Sequence, residues 1–311
     1  MAKQQKVFII GAAGMVGASA AYAMTLTEVI SEIVLIDINT DIVEGQAMDI
    51  TDAAAFSSGV TVRTGDYSEI DTDDIVVITG GAAQKPGQTR LELLGTNAGI
   101  IRDVVGKVMA NGKEIYLVLV TNPVDVLTYE ALKVSGLPKH RVFGTGTALD
   151  SARLRAVIGE KLGVRASEVN AFTLGEHGDS SFTALLSASV GSVPLHAFPA
   201  FSDDMIGSLD EVVSQKAYRI IETKKSTYYG IGRVVAEVVG ALRSAQPQVL
   251  SVSSLLEGEY DLHDVAISVP SLVSKDGVRP LNNYRLSDEE RQKLHASAGV
   301  VRKSIFELPQ A

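Results

Sequence analysis

The segment LGEHGDS, Leu174 to Ser180, sets His177 between glycines on what reads as a loop after a strand, where an imidazole can reach a cleft. Imidazole titrates near neutrality, so it can give or take a proton at working pH. Upstream, GTALDSAR carries Asp150 and Arg153 three positions apart, on one face of a helix. A carboxylate so placed can fix the imidazole tautomer and stabilise its charged form, and a guanidinium can fork onto a carboxylate ligand. The same spacing also fits an exposed intrahelical ion pair, and spacing alone does not separate the two. His140, His196, His263 and His295 are read as satisfied surface or core residues. A third stretch, GGAAQKPGQTR from Gly80 to Arg90, is a glycine- and proline-containing loop with a neutral Gln84 and a terminal Arg90.

These groups need a framework. Apolar runs at Lys6–Gly11, Glu32–Asp37, Asp74–Gly81 and Ile115–Pro123 read as strands, separated by helical stretches near 14–24, 40–50 and 91–110. Continuous apolar strands alternating with amphipathic helices predict a doubly wound parallel sheet covered on both faces. After Gly146 the rhythm changes to α+β. A helix follows at 148–163, then strand-like segments and a long helical region at 210–244 with a break expected near Gly230–Gly232. A hairpin turning at Lys275-Asp276-Gly277 precedes a last helix that Ser287 and Glu290 cap as a box. The division expected is residues 1–145, a Rossmann-type α/β domain for a dinucleotide, and 146–311, an α+β catalytic domain.

The first strand runs into IIGAAGMVGASA, which spaces Gly11, Gly14 and Gly17 as G-x-x-G-x-x-G. Backbone N–H groups of such a turn and the helix N-terminus can meet a pyrophosphate. Asp37 ends the second strand, where a carboxylate can accept from both ribose hydroxyls and repel a 2′-phosphate, favouring NAD over NADP; it can also merely cap the following turn.

Composition narrows the rest. Asp and Glu exceed Lys and Arg by 37 to 28, a formal charge of -9, so no footprint for nucleic acid or an anionic membrane is expected. With no cysteine, thiolate catalysis and Cys-based metal sites are excluded, and no metal is expected. The apolar first strand comes so early that no signal peptide is expected, and a cytoplasmic location follows as the expectation.

The segments GAAGMVG, VLIDIN, QKPGQTRLEL, VTNPVDV, GTGTALDSAR, GEHGDS and STYYGIG resemble, in this order, those of the lactate/malate dehydrogenase family. The resemblance covers essentially the whole chain and implies NAD-dependent reduction of a 2-oxo acid. His177 would donate the proton, Asp150 support it, Arg153 bind the substrate carboxylate, and Arg90, carried in by loop closure, polarise the carbonyl. It also implies that Gly11, Gly14, Met15, Val16, Gly17, Asp37, Gly80, Asn122 and Ile231 contact NAD, with Asn122 and Thr227 beside the substrate. Gln84 stands where malate enzymes of the family carry arginine; with Thr227 it points to pyruvate and L-lactate. Oxaloacetate/malate, another L-2-hydroxy acid, and a non-catalytic NAD-binding protein are the alternatives. GAAGMVG and Gln88 are malate-like or atypical features. Arg155 matches one ligand of the family's fructose 1,6-bisphosphate site, but Asn170 replaces the histidine, so no strong requirement for the bisphosphate is expected. Relatives form dimers and tetramers, and a homo-oligomer, tetramer over dimer, is expected, with apolar surface near Ala18–Met24 and Lys216–Arg243.

Overall fold

The computed structural model describes residues 5–27, 30–57, 59–82 and 89–308, without the side chains of Arg90, Asp203, Asp204 and Ile206. Six parallel strands lie in the order β3-β2-β1-β4-β5-β6: β1 (Val7–Ile10), β2 (Glu32–Ile36), β3 (Thr61–Thr64), β4 (Ile75–Ile78), β5 (Tyr116–Leu119) and β6 (Val142–Gly144). They are nearly continuous apolar runs because both faces are covered. Along β1, Val7 and Ile9 enter one core while Phe8 and Ile10 enter the other, the period of two that a strand imposes. Helices α1 (Met15–Thr25) and α2 (Thr40–Ala54) cover the first face, and α3 (Arg90–Met109) and α4 (Val124–Ser135) the second.

The strand order reverses between β1 and β4, and ligands of open α/β sheets bind at the carboxyl ends of strands beside such a point. Gly11, Gly80 and Asn122 all lie just past these ends.

The second half of the chain adds to the same sheet. β10 (Gln248–Glu257), β11 (His263–Ser274) and β12 (Gly277–Pro280) continue it antiparallel beyond β6, Ser253 pairing with Gly144. A separate antiparallel sheet holds β7 (Val169–Leu174), β8 (Phe182–Val190) and β9 (Val193–Pro194). Four helices complete it: α5 (Ala148–Leu162), α6 (Asp203–Lys224), α7 (Tyr229–Arg243) and α8 (Asp288–Phe306). The capping box expected before α8 is present, and Glu290 also accepts the N–H groups of Leu185 and Leu186 at 2.6 and 3.0 Å, tying α8 to β8.

The expected break near Gly230–Gly232 is displaced. The chain leaves α6 at Lys225, which adopts a left-handed conformation (φ 72°), and α7 begins at Tyr229 with both glycines inside it. Their purpose is close approach: a Cβ on Gly232 would lie 2.7 Å from the Ser19 carbonyl carbon of α1. The α1–α7 contact also consumes most of the apolar surface expected at Ala18–Met24. Ala18, Ala20, Ala21, Ala23 and Met24 are buried within the chain, leaving Met15 and Tyr22 half exposed. Among the described residues no helix is long and apolar enough to cross a membrane.

Candidate active site

The dinucleotide end is built from backbone. Gly11 sits at φ +91°, and a Cβ there would lie 2.3 Å from the Gly80 nitrogen, so the β1 and β4 ends can touch only through glycine. Gly14 is the N-cap of α1, with no side-chain cap and no acidic residue in the first turn. The first-turn N–H groups of Met15, Val16 and Gly17 therefore have no competing anion of the chain's own, which is what a pyrophosphate needs. Asp37 accepts the Ala13 N–H through Oδ2 at 3.0 Å and the Asn39 N–H through Oδ1 at 2.9 Å. The turn-capping reading thus holds, yet a carboxylate has lone pairs to spare for a ribose hydroxyl. These features fit a bound dinucleotide.

Thr121 donates to the Gly80 carbonyl at 2.8 Å, and Asn97 of α3 joins two strand ends, accepting from Ala82 N–H (2.8 Å) and donating to the Asn122 carbonyl (2.9 Å). Sequence reasoning missed Asn97, an amide buried among apolar helix positions. At the other end of the loop, Thr89 and Glu92 form a capping box on α3, with Arg90 as the first helical residue. Gln84 and Gln88 lie outside the described residues, as does the Arg90 side chain.

The chemical end is held by buried hydroxyls. Thr147 donates to the Thr173 carbonyl at 2.5 Å and Ser151 accepts the Thr173 N–H at 3.0 Å, fastening α5 to β7. That fixes Asp150 and Arg153 on α5 against His177, which follows β7. Asp150 Oδ2 meets His177 Nδ1 at 2.7 Å and Oδ1 accepts from the Arg153 guanidinium at 2.9 Å. The intrahelical ion pair exists, but buried, and its carboxylate is shared with the imidazole. Burial alone would raise the Asp150 carboxyl; the His177 hydrogen bond, the His177 charge and Arg153 outweigh it and hold it below its usual value. Burial likewise opposes a charged His177, but the Asp150 hydrogen bond, with the charges of Asp150 and Asp125, raises it above its usual value. With Nδ1 committed to Asp150, Nε2 is left for chemistry.

His177, Asp150, Arg153, Asn122 and Thr227 line one cavity of about 580 Å³. Its far wall is α6, contributing Asp210, Ser214, Ala217 and Tyr218, none of which sequence reasoning singled out. Tyr218 donates to Asp179 at 2.7 Å, and Asp210 accepts the Thr183 N–H at 2.6 Å, joining α6 to the His177 loop and β8. Ile231, in the first turn of α7, is outside this lining and packs instead at the edge of the core with Val16 and Leu149. Asp125 of α4 was also missed: its Oδ2 accepts the His177 N–H at 2.7 Å. A carboxylate amid Val124, Val126 and Leu127 was the available signal. Arg155 lies outside the cavity with its guanidinium 6.0 Å from the Phe172 ring, and Asn170 is exposed on β7. Among the described residues no group of acidic, histidine or cysteine side chains is placed to hold a metal.

Comparison with known proteins agrees along the whole chain. Residues 5–144 match the family model for the lactate/malate dehydrogenase NAD binding domain, and residues 147–309 that for its alpha/beta C-terminal domain. L-lactate dehydrogenase 1 of Clostridium acetobutylicum is 40% identical over 310 residues, 98% of this chain and 99% of that protein. A minor L-lactate dehydrogenase from Enterococcus mundtii, solved in the ligands-bound form, superposes with a TM-score of 0.95 at 39% identity, covering 99% of each chain. A lactate dehydrogenase from a Medee basin deep-sea metagenome library gives 0.94 at 39%, over 98% of this chain and 99% of that one.

Proposed function

Because the chain belongs to the lactate/malate dehydrogenase family, we propose that it is an NAD-dependent L-lactate dehydrogenase: pyruvate + NADH + H⁺ ⇌ L-lactate + NAD⁺. Bound NAD supplies or accepts the hydride. The observation that carries the rest is the shared Asp150 carboxylate, which joins His177 and Arg153 on one wall of the cavity. Protonated His177 hydrogen-bonds the ketone oxygen through Nε2 and releases that proton to it during reduction, while Asp150 keeps the tautomer and stabilises the imidazolium. Arg153 forks onto the substrate carboxylate and fixes which face of the ketone is presented. Arg90 would polarise the carbonyl, and Asn122, which lines the cavity, would meet substrate and nicotinamide. Gly11, Gly14, Met15, Val16, Gly17 and Gly80 cradle the pyrophosphate side, Asp37 takes the ribose and Ile231 the nicotinamide face. Residues 1–145 form the cofactor part and 146–311 the substrate part.

Pyruvate rather than oxaloacetate follows from charge. Apart from His177, Arg153 is the one cation among the described cavity-lining residues, against Asp150, Asp179, Asp210 and Glu211. Gln84 adds an amide where a second substrate carboxylate would need a cation. Leaving such a charge unpaired in a closed site costs ~3–5 kcal/mol, roughly 10²–10³-fold or more in discrimination. Thr227 closes the small pocket that takes the methyl group. Comparing kcat/KM for pyruvate, oxaloacetate and 2-oxoisocaproate with NADH tests this reading; a preference for oxaloacetate would refute it. Gln84→Arg is expected to move the oxaloacetate-to-pyruvate ratio up by about a hundredfold. An unchanged ratio would remove Gln84 from the specificity argument.

The enzyme acts in the cytoplasm as a homo-oligomer, a tetramer rather than a dimer. Exposed Tyr22 on α1 and Ile42 and Met48 on α2 supply apolar surface for a second copy. Sedimentation at micromolar concentration is expected to give a multiple of 32.9 kDa, and a monomer would overturn the assignment. With Asn170 standing where relatives carry the histidine that partners Arg155 on the ligand, fructose 1,6-bisphosphate is not strongly required; a large fall in the pyruvate KM on its addition would contradict this.

A further inference from the structure

Asp125 is a buried carboxylate, 2% exposed, that the mechanism above leaves unused. It sits in the first turn of α4, where the helix dipole favours a negative charge. Oδ2 accepts the main-chain N–H of His177 at 2.7 Å. Oδ1 and the Ser253 hydroxyl of β10 each lack a well-formed hydrogen bond among the described residues, although that hydroxyl lies close enough to favour the charged carboxylate. A buried acid whose one well-formed hydrogen bond is to a backbone N–H is a costly peg, since the Oδ1 edge exchanges its water for no more than a poorly aligned hydroxyl. An amide or a hydroxyl would hold the same N–H for less. The charge itself is therefore the feature that needs a reason, and the cation that favours it is the catalytic imidazole when protonated.

We propose that Asp125 is a positioning residue of the dehydrogenase reaction, a second carboxylate that pins the His177 main chain and electrostatically supports its imidazolium while Asp150 holds the ring. This rests on the assignment of His177 as proton donor.

Burial pushes the Asp125 carboxyl up to about 6, against the pull of the Ser253 hydroxyl, the His177 N–H and the His177 charge. The carboxyl is thus ionised above about 6, where its charge raises His177. Glu176 in the loop opposes ionisation of Asp125, while Asp150 and Arg153 on α5 act on His177 itself. Farther along α4, Glu130 pairs with Arg102 and Lys133 lies over the Tyr129 ring, whose hydroxyl donates to Asp264 of β11. From α8 the neighbour of the loop is the uncharged Ser297, which accepts the Glu176 N–H.

The test is Asp125→Asn, which keeps an oxygen for the His177 N–H and removes the charge. The expected result is a fall of about one pH unit or more in the His177 inflection. It appears as earlier loss of pyruvate reduction on raising pH and as lactate oxidation extending to lower pH. A profile superimposable on the wild type, whatever the change in kcat, would make Asp125 a structural peg and overturn the proposal. Should that variant not fold, Ser253→Ala removes the hydroxyl that favours the ionised form of Asp125. It should move the inflection the same way by less, and an unmoved inflection overturns the proposal equally. Titrating the His177 ring by NMR in wild type and variant needs no substrate. It separates failure of this proposal from failure of the lactate assignment, which wild-type turnover tests alone.

Discussion

His177→Asn is expected to lower kcat for pyruvate reduction by about 10²–10⁴-fold while NADH still binds, as read by quenching or transfer of its fluorescence. The asparagine can hydrogen-bond a ketone oxygen but has no proton to release, so orientation survives and proton transfer does not. The pH dependence supplies a second readout. His177 is raised above its ordinary value, largely by its Asp150 hydrogen bond acting against burial. Pyruvate reduction needs the protonated ring and so declines as pH rises through that raised value. Lactate oxidation needs the neutral ring and so grows over the same interval. Both inflections should vanish in the variant. Full turnover by His177→Asn, or loss of NADH binding along with activity, would remove His177 from the donor role.

Arg153→Leu is expected to lower kcat/KM for pyruvate by about 10²–10⁴-fold, most of it in KM, because a carboxylate entering the site meets no fork. The side chain is 9% exposed, so solvent screens its pairing only weakly. Arg153→Lys restores the charge but cannot make two parallel hydrogen bonds, and it should recover only part of the loss. The Asp150 contact complicates the reading, since Arg153 also donates to that carboxylate at 2.9 Å. If the fork served only Asp150, the leucine variant would lower the melting temperature and shift the His177 inflection while leaving the pyruvate KM intact. That outcome would end the substrate role assigned to Arg153.

What was legible in the sequence depended on range. The parallel sheet could be read because strands buried on both faces are continuous apolar runs, and the glycine turn because its spacing is local. Short β3, with the sequence TVRT, escaped because half its residues face solvent. Gly230 and Gly232 were misread as a break because a glycine chosen for helix contact looks the same, from one chain position, as one chosen for a turn. His177, Asp150 and Arg153 were visible as residue types, but spacing could not tell a shared carboxylate from a surface ion pair. That distinction lives in the buried hydroxyls of Thr147 and Ser151, which bring α5 to β7. Asp125 and the α6 wall were illegible for a related reason: each meets the site across a large sequence separation that no local pattern encodes.

The nine-stranded sheet carries one more consequence. Strands from both halves of the chain lie in it edge to edge, and both main cores draw residues from before and after position 145. Such a molecule has no clamshell axis, since swinging one half about the other would tear a ladder and open two cores at once. Engulfing a substrate must therefore fall to parts hung on the rim, and the frame beneath them should look alike in empty and filled crystals.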